Sequence, residues 1–193
     1  CDNLTSVTIP DSVTTIGEDA FYECTSLTSV IIGDGVTEIG DGAFSNCENL
    51  QNVSIDEGVT RIGSNAFYHC RTLTRVNLPN SLEEIGYSAF AGCAVLTDIS
   101  IPESVVRLGS GAFSGCEKLV SVELPDSIIE IGDSAFSNCT SLTSIKLPNS
   151  LIRLSGSLLA GCNSLRDVTI PENVEEINND SLNACGLRVV YIP

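Results

Sequence analysis

Apolar positions along this chain recur on a grid of 23 residues. Taking the unit from Cys24 as the pattern, Leu27, Val30 and Ile32 come first, and the V-x-I alternation predicts a short strand with one face buried. Pro10, Pro79, Pro102, Pro125, Pro148 and Pro171 end that strand, because proline cannot donate to a ladder and presets a turn. Gly33-Asp34-Gly35 and Asp56-Glu57-Gly58 replace it in two units. A second apolar pair at a spacing of three, Val36/Ile39 and its counterparts, predicts another short extended segment. Gly17, Gly40, Gly63, Gly86, Gly109 and Gly132 then mark a corner expected to need positive φ. Ala-Phe follows at 20/21, 43/44, 66/67, 89/90, 112/113 and 135/136, with a cysteine three residues beyond each Phe. That spacing is expected to form one helical or 3₁₀ turn facing Ala, Phe and Cys inward, and the six phenylalanines are expected to stack as a spine.

One such unit cannot enclose its own apolar face, whereas stacked neighbours can, so the expected architecture is a repeat solenoid. Nine cysteines, from Cys1 to Cys185, divide the 193 residues into eight full units and a short C-terminal one. At a strand spacing of about 4.8 Å, eight coils extend roughly 40 Å. The unit Leu27-x-x-Val30-x-Ile32, turn, Val36-x-x-Ile39-Gly40-x-x-Ala43-Phe44-x-x-Cys47 resembles the BspA-type leucine-rich repeat over the whole chain. The resemblance implies one domain over 1–193, a right-handed leucine-rich-repeat superhelix of short parallel strands joined by short helical or 3₁₀ turns. It also implies a cell-surface or secreted protein of the kind that anaerobic and gut bacteria use in adhesion, without catalytic residues.

The pattern degrades toward one end. Ser155-x-x-Leu158-Leu159 and Asn178-x-x-Ser181-Leu182 replace Gly-x-x-Ala-Phe, and Cys185-Gly186-Leu187 is one residue short of C-x-x-L. Atypical terminal repeats place the end of the array close to residue 193. Methionine is absent, residue 1 included, so the chain is expected to be a piece of something longer.

Charge and composition narrow the partners. A net charge of −16 argues against nucleic acid and anionic membrane, and 42% hydrophobic residues against a disordered acidic tail. No stretch of about 18 apolar residues is available to insert into a membrane. The cysteine column reads as buried thiols acting as small hydrophobes. Disulfides between stacked neighbours are the alternative, against which stand the odd number and the parallel side-chain directions; clustered zinc spacings are missing. Lipidation of Cys1 is a further reading, although the 23-residue grid already accounts for it. The single histidine, His69, lies beside Cys70, but an inward cysteine and an outward neighbour do not form a dyad, so His69 is expected to be exposed and without partners. No enzyme, cofactor or metal centre is expected. The acidic and amide turn column Asp11, Asp34, Glu57, Asn80, Glu103, Asp126, Asn149, Glu172 reads as a solvated turn, with calcium as the alternative ligand.

Two outward columns carry candidate function. Fourteen residues after each cysteine from Cys24 to Cys162 stand Glu38, Arg61, Glu84, Arg107, Glu130, Arg153 and Glu176, alternating in sign, so stacking places opposite charges next to one another and disfavours a slip by one coil. The outward residues of the first strand vary, and Arg75, Asn77, Asp98, Glu123 and Lys146 are the candidate ligand-binding set. The resemblance favours a module that binds a host or neighbouring-cell surface protein through this face. Its serine- and threonine-rich composition leaves a structural spacer as the alternative.

Overall fold

Each 23-residue unit forms one coil, and successive coils stack in parallel register. In the computed structural model, which describes residues 1–192, coil one contributes β1 (Ser6–Ile9) and β2 (Thr15–Ile16), and coil two β3 (Ser29–Ile32) and β4 (Glu38–Ile39). Coil three adds β5 (Asn52–Ile55) and β6 (Arg61–Ile62), coil four β7 (Arg75–Asn77) and β8 (Glu84–Ile85), and coil five only β9 (Arg107–Leu108). Coil six holds β10 (Ser121–Glu123) and β11 (Glu130–Ile131), coil seven β12 (Ser144–Lys146) and β13 (Arg153–Leu154), and coil eight β14 (Asp167–Thr169) and β15 (Glu176–Ile177). The short last unit supplies β16 (Val189–Tyr191), which pairs with β14. Pro193, the last residue of the expected domain, lies outside the described residues.

The first strands form the sheet β1-β3-β5-β7 and, beyond coil five, the pairs β10-β12 and β14-β16. The second strands form a sheet in the order β2-β4-β6-β8-β9-β11, then the pair β13-β15. Strand length follows the proline column. The Gly33 and Asp56 N–H groups bond to Ile9 and Ile32 at 3.0 and 3.1 Å, which lengthens the ladder; Pro79 has no N–H to give, and β7 stops at Asn77.

The architecture is therefore a parallel β-solenoid, but the expected helical or 3₁₀ turns are not there: none of the described residues is helical. A 3₁₀ turn needs consecutive N–H groups to bond three residues back. In the Ala-Phe segment only alternate ones do, as from Ala43 to Gly40, Ser45 to Gly42 and Cys47 to Phe44. The intervening N–H groups point to the next coil: Gly42 to Ser64, Phe44 to Ala66 and Asn46 to Tyr68, each at 2.7 Å. Two residues per coil take positive φ to produce this alternation, for example Asp19 and Glu23, Gly42 and Asn46, Asn65 and His69. Three inter-coil bonds of this kind repeat at every junction, to Ser157, Leu159 and Gly161 bonded to coil eight.

The corner glycines serve a different purpose from the expected one. None of the Gly17 to Gly132 column adopts positive φ; the column is glycine because the preceding coil leaves no room for a side chain. A Cβ on Gly109 would sit 2.5 Å from the backbone of Gly86 and Tyr87, whereas one on Gly17, in the first coil, would meet nothing within 4 Å. This close approach lets the corner N–H of each coil reach the previous one, as Gly109 does to Ile85 at 2.8 Å.

Inside, one continuous core runs from Ile9 to Ile170. The six phenylalanines stack with ring centroids 5.1–5.4 Å apart and planes within 8° of parallel. Such separations fall in the range where offset stacking adds about 0.5–1.5 kcal/mol per pair beyond burial. Leu159 and Leu182 continue the column where the aromatic residue is lost.

Gly109→Ala is expected to lower stability by about 1–3 kcal/mol, because the added methyl forces two backbones apart. Gly17→Ala is expected to be neutral or stabilising by up to about 1 kcal/mol, through reduced freedom of the unfolded chain. Urea midpoints of the two variants check the pair; equal destabilisation would place the cost in glycine flexibility rather than in coil spacing.

Candidate functional site

The first-strand face presents the candidate ligand set outward because the alternate residues, Val76 and Val122 among them, are held in the core. Arg75 and Asn77 are exposed on β7, Glu123 is exposed on β10, and Lys146 is exposed on β12. Register sets Glu123 directly beside Lys146 and Arg75 beside Asn52. Asp98 is exposed on coil five, where the first strand is not paired to either neighbour, so it separates the two groups. The five residues thus lie along one face over four consecutive coils.

On the second sheet the alternating column is only partly joined. Register places Glu38, Arg61, Glu84, Arg107 and Glu130 side by side, and Arg153 beside Glu176. Arg61 meets Glu38 at 2.5 Å and Glu84 at 3.7 Å, with Asp41 at 3.5 Å, and Arg107 meets Glu84 at 2.8 Å. Hydrogen bonding and the neighbouring carboxylates raise the Arg107 pKa. Glu130, Arg153 and Glu176 form no ion pair among the described residues, and β11 does not pair with β13.

Two carboxylates of the acidic turn column, Glu57 and Asp126, are engaged by the backbone and amide of the coil above. Glu57 accepts from the Asn80 main-chain N–H at 2.8 Å and its side-chain amide at 3.1 Å, and Asp126 accepts from Asn149 in the same way. The Asn149 N–H lowers the Asp126 pKa, followed by the Asn149 side chain. A carboxylate shifted this way contributes stability that is complete above its ordinary range and is lost as pH falls through the lowered value.

Each thiol from Cys47 to Cys162 donates to the carbonyl of the Phe in the preceding coil, at 3.2–3.3 Å. That carbonyl also receives its own coil's Cys N–H, as Phe21 does from Cys24 at 3.2 Å. The cysteines are therefore hydrogen-bonded members of the core as well as small apolar groups. Burial pushes Cys47, Cys116 and Cys162 up to about 12. Cys70 faces the core, while His69 lies outside at positive φ and stacks on Tyr68 with ring centroids 3.9 Å apart. His69 thus has a partner that its sequence position did not disclose, and burial, followed by Arg71, lowers its pKa.

Sequence reasoning also missed an open trough of about 700 Å³ on the turn side, bounded by Tyr68, His69 and Tyr87 and floored by Ser88, Gly92 and Ser114. The signal was the run of serine, glycine and alanine at these outward positions in coils four to six.

The family model for the BspA type leucine rich repeat region (6 copies) matches residues 1–105 and 84–193. A leucine-rich repeat protein from T. pallidum is 32% identical, with TM-score 0.77 over 83% of this chain and 77% of that one. A leucine-rich repeat protein from Bacteroides ovatus is 30% identical, with TM-score 0.69 over 91% of this chain and 42% of that one. A leucine rich cell surface protein from Faecalibacterium prausnitzii is 30% identical, with TM-score 0.50 over 97% and 72%. No curated protein matches the chain.

Two measurements check the side-chain columns. Arg107→Glu, which sets three acids in succession, is expected to lower Tm more than Arg107→Ala, with the gap narrowing at about 1 M salt; equal losses would count against a role for alternating charge. In native labelling with a thiol reagent, exposed Cys1 is expected to react quickly and half-buried Cys185 slowly, with the seven buried thiols from Cys24 to Cys162 released only on unfolding. Rapid modification of several thiols would show that the core opens.

Proposed function

The chain belongs to the BspA-type leucine-rich-repeat family, and we propose that this segment, one solenoid domain over 1–193, is a non-enzymatic protein-binding module of a cell-surface or secreted protein. The partner class is a surface protein of a host or neighbouring cell, recognised through the outward face of the first strands. The observation that carries this reading is the division of labour within those strands. Inward residues repeat with little change, while outward ones depart from the serine and threonine of coil one to Arg75, Asn77, Asp98, Glu123 and Lys146 in coils four to seven. A row of exposed, non-repeating polar residues along stacked coils is the kind of surface by which solenoids bind partners. The cell-surface description of the Faecalibacterium relative supports the localisation. Because the chain spans 42% of the Bacteroides relative, the activity of any longer protein remains within the same proposal.

A structural spacer is the second reading, favoured by the small polar side chains Ser6, Thr8 and Ser29 on the same face in the first coils. Pull-down from surface extracts with the native segment and with Arg75→Ala/Glu123→Ala separates the two. Recognition through this face predicts a partner whose affinity drops about tenfold or more in a variant with unchanged circular dichroism. Identical capture by both proteins would leave the spacer reading in place.

A further inference from the structure

The second sheet contains a break on a surface that the first-strand face does not share. At the other junctions between adjacent coils, two main-chain bonds recur on this side. One runs from the residue thirteen after Cys to its counterpart in the previous coil, as Ile129 N–H to Val106 at 3.1 Å and Glu175 to Ile152 at 2.7 Å. The other runs from the corner residue, as Gly132 to Leu108 at 2.8 Å and Asn178 to Leu154 at 3.0 Å. Between coils six and seven neither forms among the described residues. Ile152 N–H does not bond to Ile129, and the Ile131 carbonyl accepts the Ser155 hydroxyl in place of the Ser155 N–H.

The corner residue here is Ser155 in place of glycine, which elsewhere lets adjacent backbones approach until a Cβ would overlap them, 2.2 Å from Ser110 N in the case of Gly132. A Cβ alone does not open a junction, because Asn178 carries one at the next corner and keeps its bond to Leu154 at 3.0 Å; at Ser155 the hydroxyl takes the carbonyl that the corner N–H takes elsewhere, and the two coils stand apart. The opening is a groove of about 460 Å³ between β11 and β13, lined by Ile129, Ile131, Leu151 and Ile152.

Three further features meet there. Ile129 and Ile152 are 63% and 61% exposed, at a position where coils one to three carry Thr14, Thr37 and Thr60. No core contact explains the change from threonine to aliphatic residues, and contiguous exposed apolar side chains mark interaction sites. Glu130 and Arg153 flank the groove with opposite charges, and, unlike Arg61 and Arg107, neither is in an ion pair among the described residues. The Ile129 carbonyl and the Ile152 N–H lack the main-chain partners their counterparts have.

We propose that this seam is a second interaction surface, occupied by an extended peptide segment of a protein partner that lays a branched aliphatic side chain between Ile129 and Ile152, with an acidic residue toward Arg153 and a basic one toward Glu130. Unpaired main-chain donors and acceptors are what an added strand uses, and alternate side chains confer the selectivity. A strip one or two side chains wide is far below the roughly 1,000 Å² that a stable interface between folded copies requires. Glu130 at the groove and the net charge of −16 also make an anionic bilayer a poor match.

The test uses the whole 193-residue chain and a blocked Lys-Val-Ile-Val-Asp peptide as the probe, followed by isoleucine methyl NMR and amide exchange. The expected result is saturable shifts at Ile129 and Ile152 and slowed exchange of the Ile152 amide. Binding is expected to weaken at least tenfold in Ile129→Thr/Ile152→Thr, while Arg75→Ala/Glu123→Ala binds as the native chain does. Absence of saturable shifts, shifts confined to the first-strand face, or unchanged binding by the threonine variant overturns the proposal. So does sedimentation showing a dimer of the native chain that the threonine variant abolishes, which would identify a second copy as the occupant.

Discussion

Three main-chain hydrogen bonds at the Ala-Phe side of each junction hold this solenoid together along its whole length. They continue through the coils where both sheets are interrupted, so the stacking distance is set there and the strands follow. The bonds exist because residues at two positions per coil adopt positive φ and turn alternate N–H groups outward. For non-glycine residues this conformation costs roughly 1–3 kcal/mol, and it persists because neighbouring coils fix it from both sides. Once the turns are locked at this spacing, the phenylalanine rings stack, the thiols reach the carbonyls of the preceding coil, and the corners from Gly40 to Gly132 leave no room for a side chain.

Much of this was legible in the residues themselves. The cysteine grid located every coil, V-x-I located the first strands, and the phenylalanine column was correctly read as a spine. What escaped was the backbone geometry between those landmarks. The positive-φ positions hold Asp19, Gly42, Asn65 and Ser88 in one column and Glu23, Asn46, His69 and Gly92 in the other, a mixture that conceals a conformation imposed by tertiary hydrogen bonds. The one column that is uniformly glycine for six units drew attention instead, although its requirement is space. The 3₁₀ turn failed for the same reason: spacing in sequence reports which side chains share a direction, and it says nothing about which coil an N–H will serve.

The candidate sites divide similarly. Alternation of charge was visible as a column, but not that the ion pairs stop at Arg107, nor that the column itself breaks between Glu130 and Arg153, where β11 does not pair with β13. In the sequence that serine registered only as a departure from the repeat near the end of the array. In the structure the two strands beside it stand apart, while the turn ladder, Ser134 to Gly156 and Phe136 to Leu158, stays closed at 2.9 and 3.0 Å. The first-strand residues Arg75 to Lys146 were identified because the repeat does not dictate them, and their exposure follows from strand alternation alone.

The bond from each thiol to a carbonyl in the neighbouring coil has a consequence for array length. A scaffold cross-linked by disulfides constrains the parity of its cysteines, since inserting or deleting one module strands a sulfur without a mate. Here each Cys from Cys47 to Cys162 is complete with one neighbouring coil and one carbonyl, and the described cysteines are free thiols. Modules can therefore be gained or lost singly by recombination, with no oxidative refolding and no change in the chemistry of the rest.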